Sequence, residues 1–181
     1  MQSPGQSLTF GRMIADPRTS VAFTGHRTYR GAAADALRRT VGELYARGFR
    51  NFLSGMAVGF DLAAAEAVLE LRERAPGVRL VAAVPFRGQE MRFSPADRER
   101  FRRVLAEADS VEVLAPAYHR GCYAVRNDFL VYNARVLVAW YDGSPGGTRY
   151  TVRRALGRGL EVVNLCPAAP VPPAPEPTLF G

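Results

Sequence analysis

Residues 52–61 read Phe52-Leu53-Ser54-Gly55-Met56-Ala57-Val58-Gly59-Phe60-Asp61, in which a short apolar run stops at a serine–glycine pair. A second glycine follows four residues later, and an alanine-rich helical pattern begins at the acidic residue. This order is typical of a site for a phosphate-sized anion, because the first amides of a helix lack backbone partners and glycine lets a ligand approach them. The alternative is a tight strand–helix turn in which Asp61 caps the helix.

The composition predicts one globular domain. The chain has 181 residues, of which 48% are apolar, enough to bury a core. No apolar run reaches the length of a membrane span, and the N-terminal residues lack the apolar centre of a signal peptide. We therefore expect a cytoplasmic protein without membrane contact.

The basic charge has two interpretations. All 24 basic residues are arginines, since the sequence contains no lysine, and the net charge is +7. A nucleic-acid partner would explain this charge, but so would GC-rich coding bias, which the near absence of isoleucine (only Ile14) favours. The missing lysine excludes a Walker A lysine and a lysine Schiff base, so arginine, amides and hydroxyls must hold any anion.

The two cysteines, Cys122 and Cys166, lack the spacing of metal ligands or of a redox pair. The two histidines, His26 and His119, add no convincing zinc set. We expect two unrelated thiols and no metal site.

Apolar runs alternate with helical patterns between residues 19 and 166. Strands are predicted at 19–24, 49–54, 78–84, 110–115, 136–141 and 161–165, and helices at 31–48, 60–74, 95–108, 121–134 and 148–158. The alternation predicts an α/β fold: a Rossmann-like three-layer sandwich with a mostly parallel sheet of about six strands and helices on both faces. Residues 1–18 are expected to form a flexible arm, and residues 167–181 a proline-rich tail.

Glycine-bearing or polar segments follow several predicted strands, at the edge where such sheets bind ligands. The candidate ligand-binding residues are Thr24, Gly25, His26, Arg27, Ser54, Gly55, Met56, Gly59, Asp61, Pro85, Phe86, Arg126, Asn127, Asp142, Ser144, Gly146, Gly147 and Thr148. Amides and hydroxyls would hold phosphate, Arg27 or Arg126 would pair with it, and Asp61 would bind a ribose hydroxyl. No catalytic set is evident.

Each of these assignments has a plainer alternative. His26 is equally well read as a hydrogen-bonded loop residue, and Arg126 and Asn127 as surface helix residues. Thr148 would cap the last helix, unless residues 142–148 are a flexible linker. Phe86 would stack on a base, whereas Trp140, inside a strand, is better read as core.

Taken together, Thr24-Gly25-His26-Arg27, the Ser54–Asp61 loop, Arg126-Asn127 and Ser144-x-Gly146-Gly147-Thr148 resemble the SLOG superfamily. Within it the chain resembles the YpsA-like (DUF1273) proteins, over roughly residues 19–166. Related families are DNA-processing protein A and the LOG phosphoribohydrolases. The resemblance implies a Rossmann-like fold, a site for a nucleotide or a NAD/ADP-ribose-like molecule, and a homodimer.

The related families imply different activities. LOG proteins hydrolyse the N-glycosidic bond of nucleoside monophosphates with a Pro-Gly-Gly-x-Gly-Thr-x-x-Glu motif, whose glutamate is replaced here by Thr151. The Ser54–Asp61 and Arg126-Asn127 segments look closer to DNA-processing protein A, which binds single-stranded DNA. Three hypotheses follow: a protein that senses or sequesters a nucleotide derivative, an N-glycosidase with Asp61 or Asp128 as its acid, and a single-stranded nucleic-acid binder using Arg27, Arg30, Arg120 and Arg126.

Overall fold

The structure, a computed structural model, describes residues 15–167. The strands are β1 (Ser20–Gly25), β2 (Asn51–Ser54), β3 (Arg79–Val84), β4 (Ser110–Val113), β5 (Val136–Trp140) and β6 (Glu161–Asn164). The helices are α1 (Ala34–Ala46), α2 (Phe60–Arg72), α3 (Pro95–Glu107), α4 (Cys122–Tyr132) and α5 (Gly147–Gly157), with 3₁₀ turns at Pro17–Thr19 and Gln89–Arg92.

All six strands form one parallel sheet in the order β4-β3-β2-β1-β5-β6. The chain first moves outward from β1 to β4 and then returns to place β5 on the other side of β1. Val21 of β1 is therefore in register with both Phe52 of β2 and Val136 of β5. The predicted α/β fold is confirmed, and the sheet is parallel throughout.

Two apolar cores lie on opposite faces of the sheet because side chains alternate along each strand. Val21 and Phe23 point to the face covered by α1, α2 and α3, where Phe23 stacks on Phe52 with ring centroids 6.3 Å apart. Ala22 and Leu53 point to the opposite face, where they pack with residues of α4 and α5. The three predicted layers are present.

Local signals set several helix boundaries. Ser94 caps α3 by accepting a hydrogen bond from the Asp97 amide at 3.1 Å, and Pro95 occupies the first turn, as predicted. Asp61, in contrast, is not the cap of α2. The cap position belongs to Gly59, and Asp61 is the second helical residue.

The predicted arm and tail fall largely outside the described residues. Of the arm, residues 15–18 are described and enter the Pro17–Thr19 turn; residues 1–14, and the tail from residue 168, are not described. Between residues 15 and 167, no helix combines the length and apolarity needed to cross a bilayer.

Candidate functional site

Most of the predicted site residues gather at the carboxyl ends of β1, β2 and β5. The strand order reverses between β1 and β5, so the loop after β1 leads to one face of the sheet and the loop after β5 to the other. Gly25 is paired with Trp140 where these two strands end, and the His26 amide donates to the Trp140 carbonyl at 3.3 Å. Loops that diverge in this way leave the crevice in which open α/β sheets bind ligands.

Residues 54–60, which we call the buried loop, are held by internal hydrogen bonds. The Ser54 hydroxyl donates to the Asp61 carbonyl at 2.9 Å and accepts from the Met56 amide at 3.2 Å. Met56 is fully buried with a φ of 58°, and its carbonyl accepts from Gln89 Nε2 at 2.9 Å. The hydroxyl that the sequence assigned to phosphate thus fixes the shape of the loop.

The glycines of this region are required by close packing. A Cβ at Gly59, whose φ is +85°, would lie 2.7 Å from the carbonyl oxygens of both His26 and Arg27. A Cβ at Gly55 would lie 2.6 Å from Arg126 Nη1 and 2.7 Å from Asp61 Oδ2. Through these close contacts, the buried loop packs against the loop after β1 and against Arg126 of α4.

A buried ion pair lies beneath the buried loop. Asp61 and Arg126 are only 4% and 6% exposed, and Asp61 Oδ2 is 3.8 Å from Arg126 Nη1. Arg126 also donates to the Gly55 carbonyl, and its Nε donates to Asn127 Oδ1 at 2.7 Å. Arg126 therefore holds the protein's own loop, whereas the sequence suggested that it points outward to a phosphate.

Burial shifts the pKa of each partner in the direction that favours its neutral form. Burial raises the pKa of Asp61 to about 6, against the opposing effects of the Arg126 charge and the Ala57 amide. Burial likewise lowers the pKa of the Arg126 guanidinium. Asp61 Oδ1 is the one buried side-chain oxygen or nitrogen within residues 15–167 that has no hydrogen-bond partner, so the carboxyl group is only partly satisfied.

Residues 142–148, which we call the exposed loop, are open to solvent up to Gly147. Asp142 Oδ1 accepts from the Ser144 amide at 2.9 Å and from the Ser144 hydroxyl at 2.6 Å. These bonds, with a smaller contribution from the nearby His26, lower the pKa of Asp142. A carboxylate held in this way is oriented to accept hydrogen bonds from a ligand hydroxyl.

His26 connects the loop after β1 to the exposed loop. Its Nε2 lies 2.7 Å from Asp142 Oδ1 and 3.2 Å from the Asp142 amide nitrogen. A protonated Nε2 donates to the carboxylate, and an unprotonated one accepts from the amide. In both states the ring fixes the start of the exposed loop.

The first turn of α5 is the most accessible anion position in the site. Gly146 is the N-cap and supplies no side-chain hydrogen bond to the first amides of the helix. A Cβ at Gly146 would meet nothing within 4 Å, and one at Gly147 would meet only Asn127 Nδ2 at 3.6 Å. Thr148 is buried at the second helical position and is not the cap that the sequence suggested. Such an uncapped helix start favours an anion.

The remaining predicted residues lie around this crevice. Thr24 is buried at the end of β1, and Arg27 is exposed in the loop that follows. Pro85 and Phe86 are buried beyond the end of β3. Trp140 is half-buried and packs edge-on against Tyr29, with centroids 5.1 Å apart, as expected for a core residue.

One residue that the sequence analysis did not single out contributes here. Gln89 is buried, and its side-chain amide donates to the Met56 carbonyl. Gln89 begins a short 3₁₀ turn after Pro85 and Phe86, and such a turn has no helical or strand periodicity that would have indicated its burial.

A cavity of about 730 Å³ runs beside the site, along α2 between α1 and α3. Of the predicted site residues, only Arg27 and Gly59 line it. Its two glutamates are already paired, Glu66 with Arg100 at 2.8 Å and Glu70 with Arg38 at 2.9 Å. This cavity is a cleft between helices, whereas the exposed backbone amides of Gly146 and Gly147 lie at the end of β5.

The fold and site define a Rossmann-like α/β protein with two glycine loops at the carboxyl ends of β2 and β5 of a parallel sheet. Residues 22–159 match the YpsA family model, described as the YspA SLOG family, and the chain belongs to this family. A UPF0398 protein of Shouchella clausii is 38% identical over 94 residues, which are 50% of each chain. A UPF0398 protein of Bacillus thuringiensis (strain Al Hakam) is 29% identical over 132 residues, 71% of each chain.

Two solved structures share the fold. DNA processing protein A from Streptococcus pneumoniae matches with a TM-score of 0.58 and 19% identity, over 81% of this chain and 49% of that one. DNA processing protein A from Helicobacter pylori, whose structure concerns its single-stranded DNA binding mode, matches with a TM-score of 0.59 and 16% identity, over 81% and 64%. The chain thus spans about half to two thirds of these proteins.

Proposed function

We propose that this protein binds a nucleotide or a nucleotide derivative of the NAD or ADP-ribose type, and senses or sequesters it. The observation that carries the proposal is the open N-terminus of α5, with Gly146 and Gly147 exposed at the switch point of the sheet. A phosphate is the anion that such helix starts accept. Asp142 lies in the same loop, and its carboxylate would accept a hydrogen bond from a ribose hydroxyl.

Binding without turnover is favoured by where the acids lie. Thr151, at the position of the LOG glutamate, is fully buried, and its hydroxyl donates to the Gly147 carbonyl at 2.9 Å. Asp61 has a pKa suited to proton transfer, but its carboxyl is buried beneath Gly55. N-glycosidic cleavage is checked by incubating the protein with nucleoside monophosphates and NAD and measuring the released base.

The proposal is tested by calorimetry with AMP, ADP-ribose and NAD on wild type and on Gly147→Asp. The new carboxylate would occupy the anion position at the helix start, which stabilises the helix dipole and repels phosphate. Affinity for the phosphate-bearing ligands is expected to fall by at least about tenfold, which corresponds to about 1.4 kcal/mol of binding free energy.

The matched control is Gly42→Asp. Gly42 is a helical glycine of α1 where a Cβ would meet nothing within 4 Å, so this variant makes the same charge change at a remote place without a clash. Absence of binding by wild type, or equal losses in the two variants, would contradict the proposal.

Single-stranded nucleic acid is the second candidate, supported by the fold shared with DNA processing protein A. Arg27 and Arg120 are exposed and would contact the phosphate backbone. Fluorescence anisotropy of a labelled oligonucleotide over a salt series tests it, because phosphate contacts give a negative slope of log affinity against log salt. A slope near zero would exclude this candidate.

A further inference from the structure

Three aromatic rings meet beyond the ends of β3 and β4. The Phe86 ring lies edge-on to Tyr118 and Tyr123, with centroids 5.4 and 5.8 Å apart. Phe86 and Tyr123 pack with Ala115 and Cys122 in a small cluster separate from the two main cores. Phe86 is buried, whereas the Tyr118 residue is 52% exposed, so the cluster has a fixed base and an accessible ring.

Two arginines lie over these rings. The Arg92 guanidinium carbon is 4.7 Å from the Tyr118 ring centroid, and that of Arg27 is 5.2 Å from the Tyr123 centroid. Neither arginine forms an ion pair with a carboxylate of residues 15–167, unlike Arg38 and Arg100 in the helical layer. Positive charge and aromatic faces are thus combined without a direct ion pair at either arginine.

The cluster lies next to the crevice but outside it. Arg27 belongs to the loop after β1 that packs on Gly59, and its charge acts on both Asp61 and Arg126. Counted from β5, which precedes the exposed loop, β3 and β4 are the third and fourth strands, roughly 15–20 Å away at the usual strand spacing. Arg27 and Phe86 are therefore common to the predicted site residues and the cluster.

We propose that Phe86, Tyr118 and Tyr123, together with Arg27 and Arg92, form a stacking platform for a second nucleobase of the ligand. Nucleobases stack on exposed aromatic rings, and arginines beside such rings bind the adjoining phosphate. The inference rests on the proposed function, in which the first nucleotide unit lies at the exposed loop. It narrows the ligand to a molecule with two nucleobases joined through phosphate.

Calorimetry with AMP and with the dinucleotide pApA tests the platform. Wild type is expected to bind pApA at least about tenfold more tightly than AMP, the scale of one base–aromatic contact. Tyr118→Ala is expected to remove that advantage while leaving AMP affinity unchanged.

Tyr132→Ala is the matched control. Tyr132 is 41% exposed and also lies beneath an arginine, with Arg158 5.2 Å from its ring, but it is the last residue of α4, whereas Tyr123 lies in the first turn of that helix. The control is expected to keep the full preference for pApA.

The outcomes separate the two proposals. Equal affinity of wild type for AMP and pApA, or equal loss of both in Tyr118→Ala, overturns the platform and leaves nucleotide binding standing. Failure of wild type to bind any of AMP, ADP-ribose and NAD overturns the proposed function itself. Photocrosslinking of a 5-iodouracil dinucleotide then decides the platform on its own: an adduct on Tyr118 supports it, and an adduct on Tyr132 or none at all overturns it.

Discussion

The two glycine loops look alike in sequence and differ in the folded protein. In the buried loop, Gly55 and Gly59 face atoms of the protein itself, and a Cβ at either position would lie under 3.0 Å from them. In the exposed loop, a Cβ at Gly146 would meet nothing within 4 Å. Glycine in the first loop is needed for packing, whereas glycine in the second leaves backbone amides open.

This difference assigns separate tasks to the two loops. The buried loop, with the Asp61–Arg126 pair beneath it, fixes where β1, β2 and α4 meet. The exposed loop is held by hydrogen bonds of His26 and Ser144 to Asp142, of Tyr141 to the Gly143 carbonyl and of Thr151 to the Gly147 carbonyl, and its residues 142–147 stay exposed. Substitutions in the first loop are therefore expected to change stability, and those in the second to change ligand affinity.

The largest effect is expected for Gly59→Val. The new side chain would press against the His26 and Arg27 carbonyls from a backbone with φ of +85°. We expect a loss of at least about 4 kcal/mol in the free energy of unfolding, measured by guanidinium denaturation.

Gly147→Ala is the comparison for that variant. It adds a methyl group at ordinary contact distance from Asn127 Nδ2 in the first turn of α5. Its stability is expected to stay within about 0.5 kcal/mol of wild type. Similar losses in the two variants would mean that the loops do not differ in the way described.

Arg126→Leu is expected to have the next largest effect. The substitution leaves Asp61 buried without a counter-charge and removes the bonds to Gly55 and Asn127. A loss of about 3–5 kcal/mol is expected at pH 7. Adding Asp61→Asn should recover part of this loss, because the buried carboxylate is then gone.

The control for the buried pair is Arg154→Leu. Arg154 Nε lies 3.0 Å from Asp128 Oδ1 on the surface, with a side chain 53% exposed, so this ion pair contributes at most about 1 kcal/mol. If both arginine variants lose the same stability, the Asp61–Arg126 pair does not support the buried loop.

The pH dependence of stability sharpens the assignment of Asp61. Its pKa is about 6 in the folded protein and near 3.8 in the unfolded chain, so the folded state binds the extra proton between these values. Stability relative to Asp61→Asn is therefore expected to fall as pH rises from about 4 to 6, by on the order of 2 kcal/mol, and to stay level above pH 7. Urea denaturation of both proteins at matched pH measures the difference, and a flat difference would show that Arg126 fully offsets the burial.

The sequence predicted the fold, and it predicted that the candidate site residues follow strand ends, because both depend on local patterns. Apolar runs marked the six strands, and polar segments at their ends fell on one edge of a parallel sheet. Ser94-Pro95 marked the start of α3 for the same reason.

The sequence could not predict that one glycine loop is buried and the other exposed, because this depends on contacts between residues that are far apart in the sequence. The Gly55 carbonyl is bonded by Arg126, 71 positions along the chain, and Gly59 packs on the His26 carbonyl. An aspartate after a glycine loop has the sequence pattern of a helix cap. That Asp61 is instead buried beside Arg126 is visible only in the folded structure. Tyr118 lies in a segment without helical or strand periodicity, so its neighbours Phe86 and Arg92 were not evident.

The smallest expected effect tests the ordered start of the exposed loop. Ser144→Ala removes the hydroxyl bond that contributes most to the low pKa of Asp142, while the amide bond from residue 144 remains. The pKa of Asp142, followed by carbon-13 NMR of its carboxyl group, is expected to rise toward its ordinary value. Because Asp142 is exposed, overall stability should not change measurably, in contrast to the variants of the buried loop. An unchanged pKa would mean that His26, and not Ser144, holds this carboxylate, and His26→Ala would then be the variant that raises it.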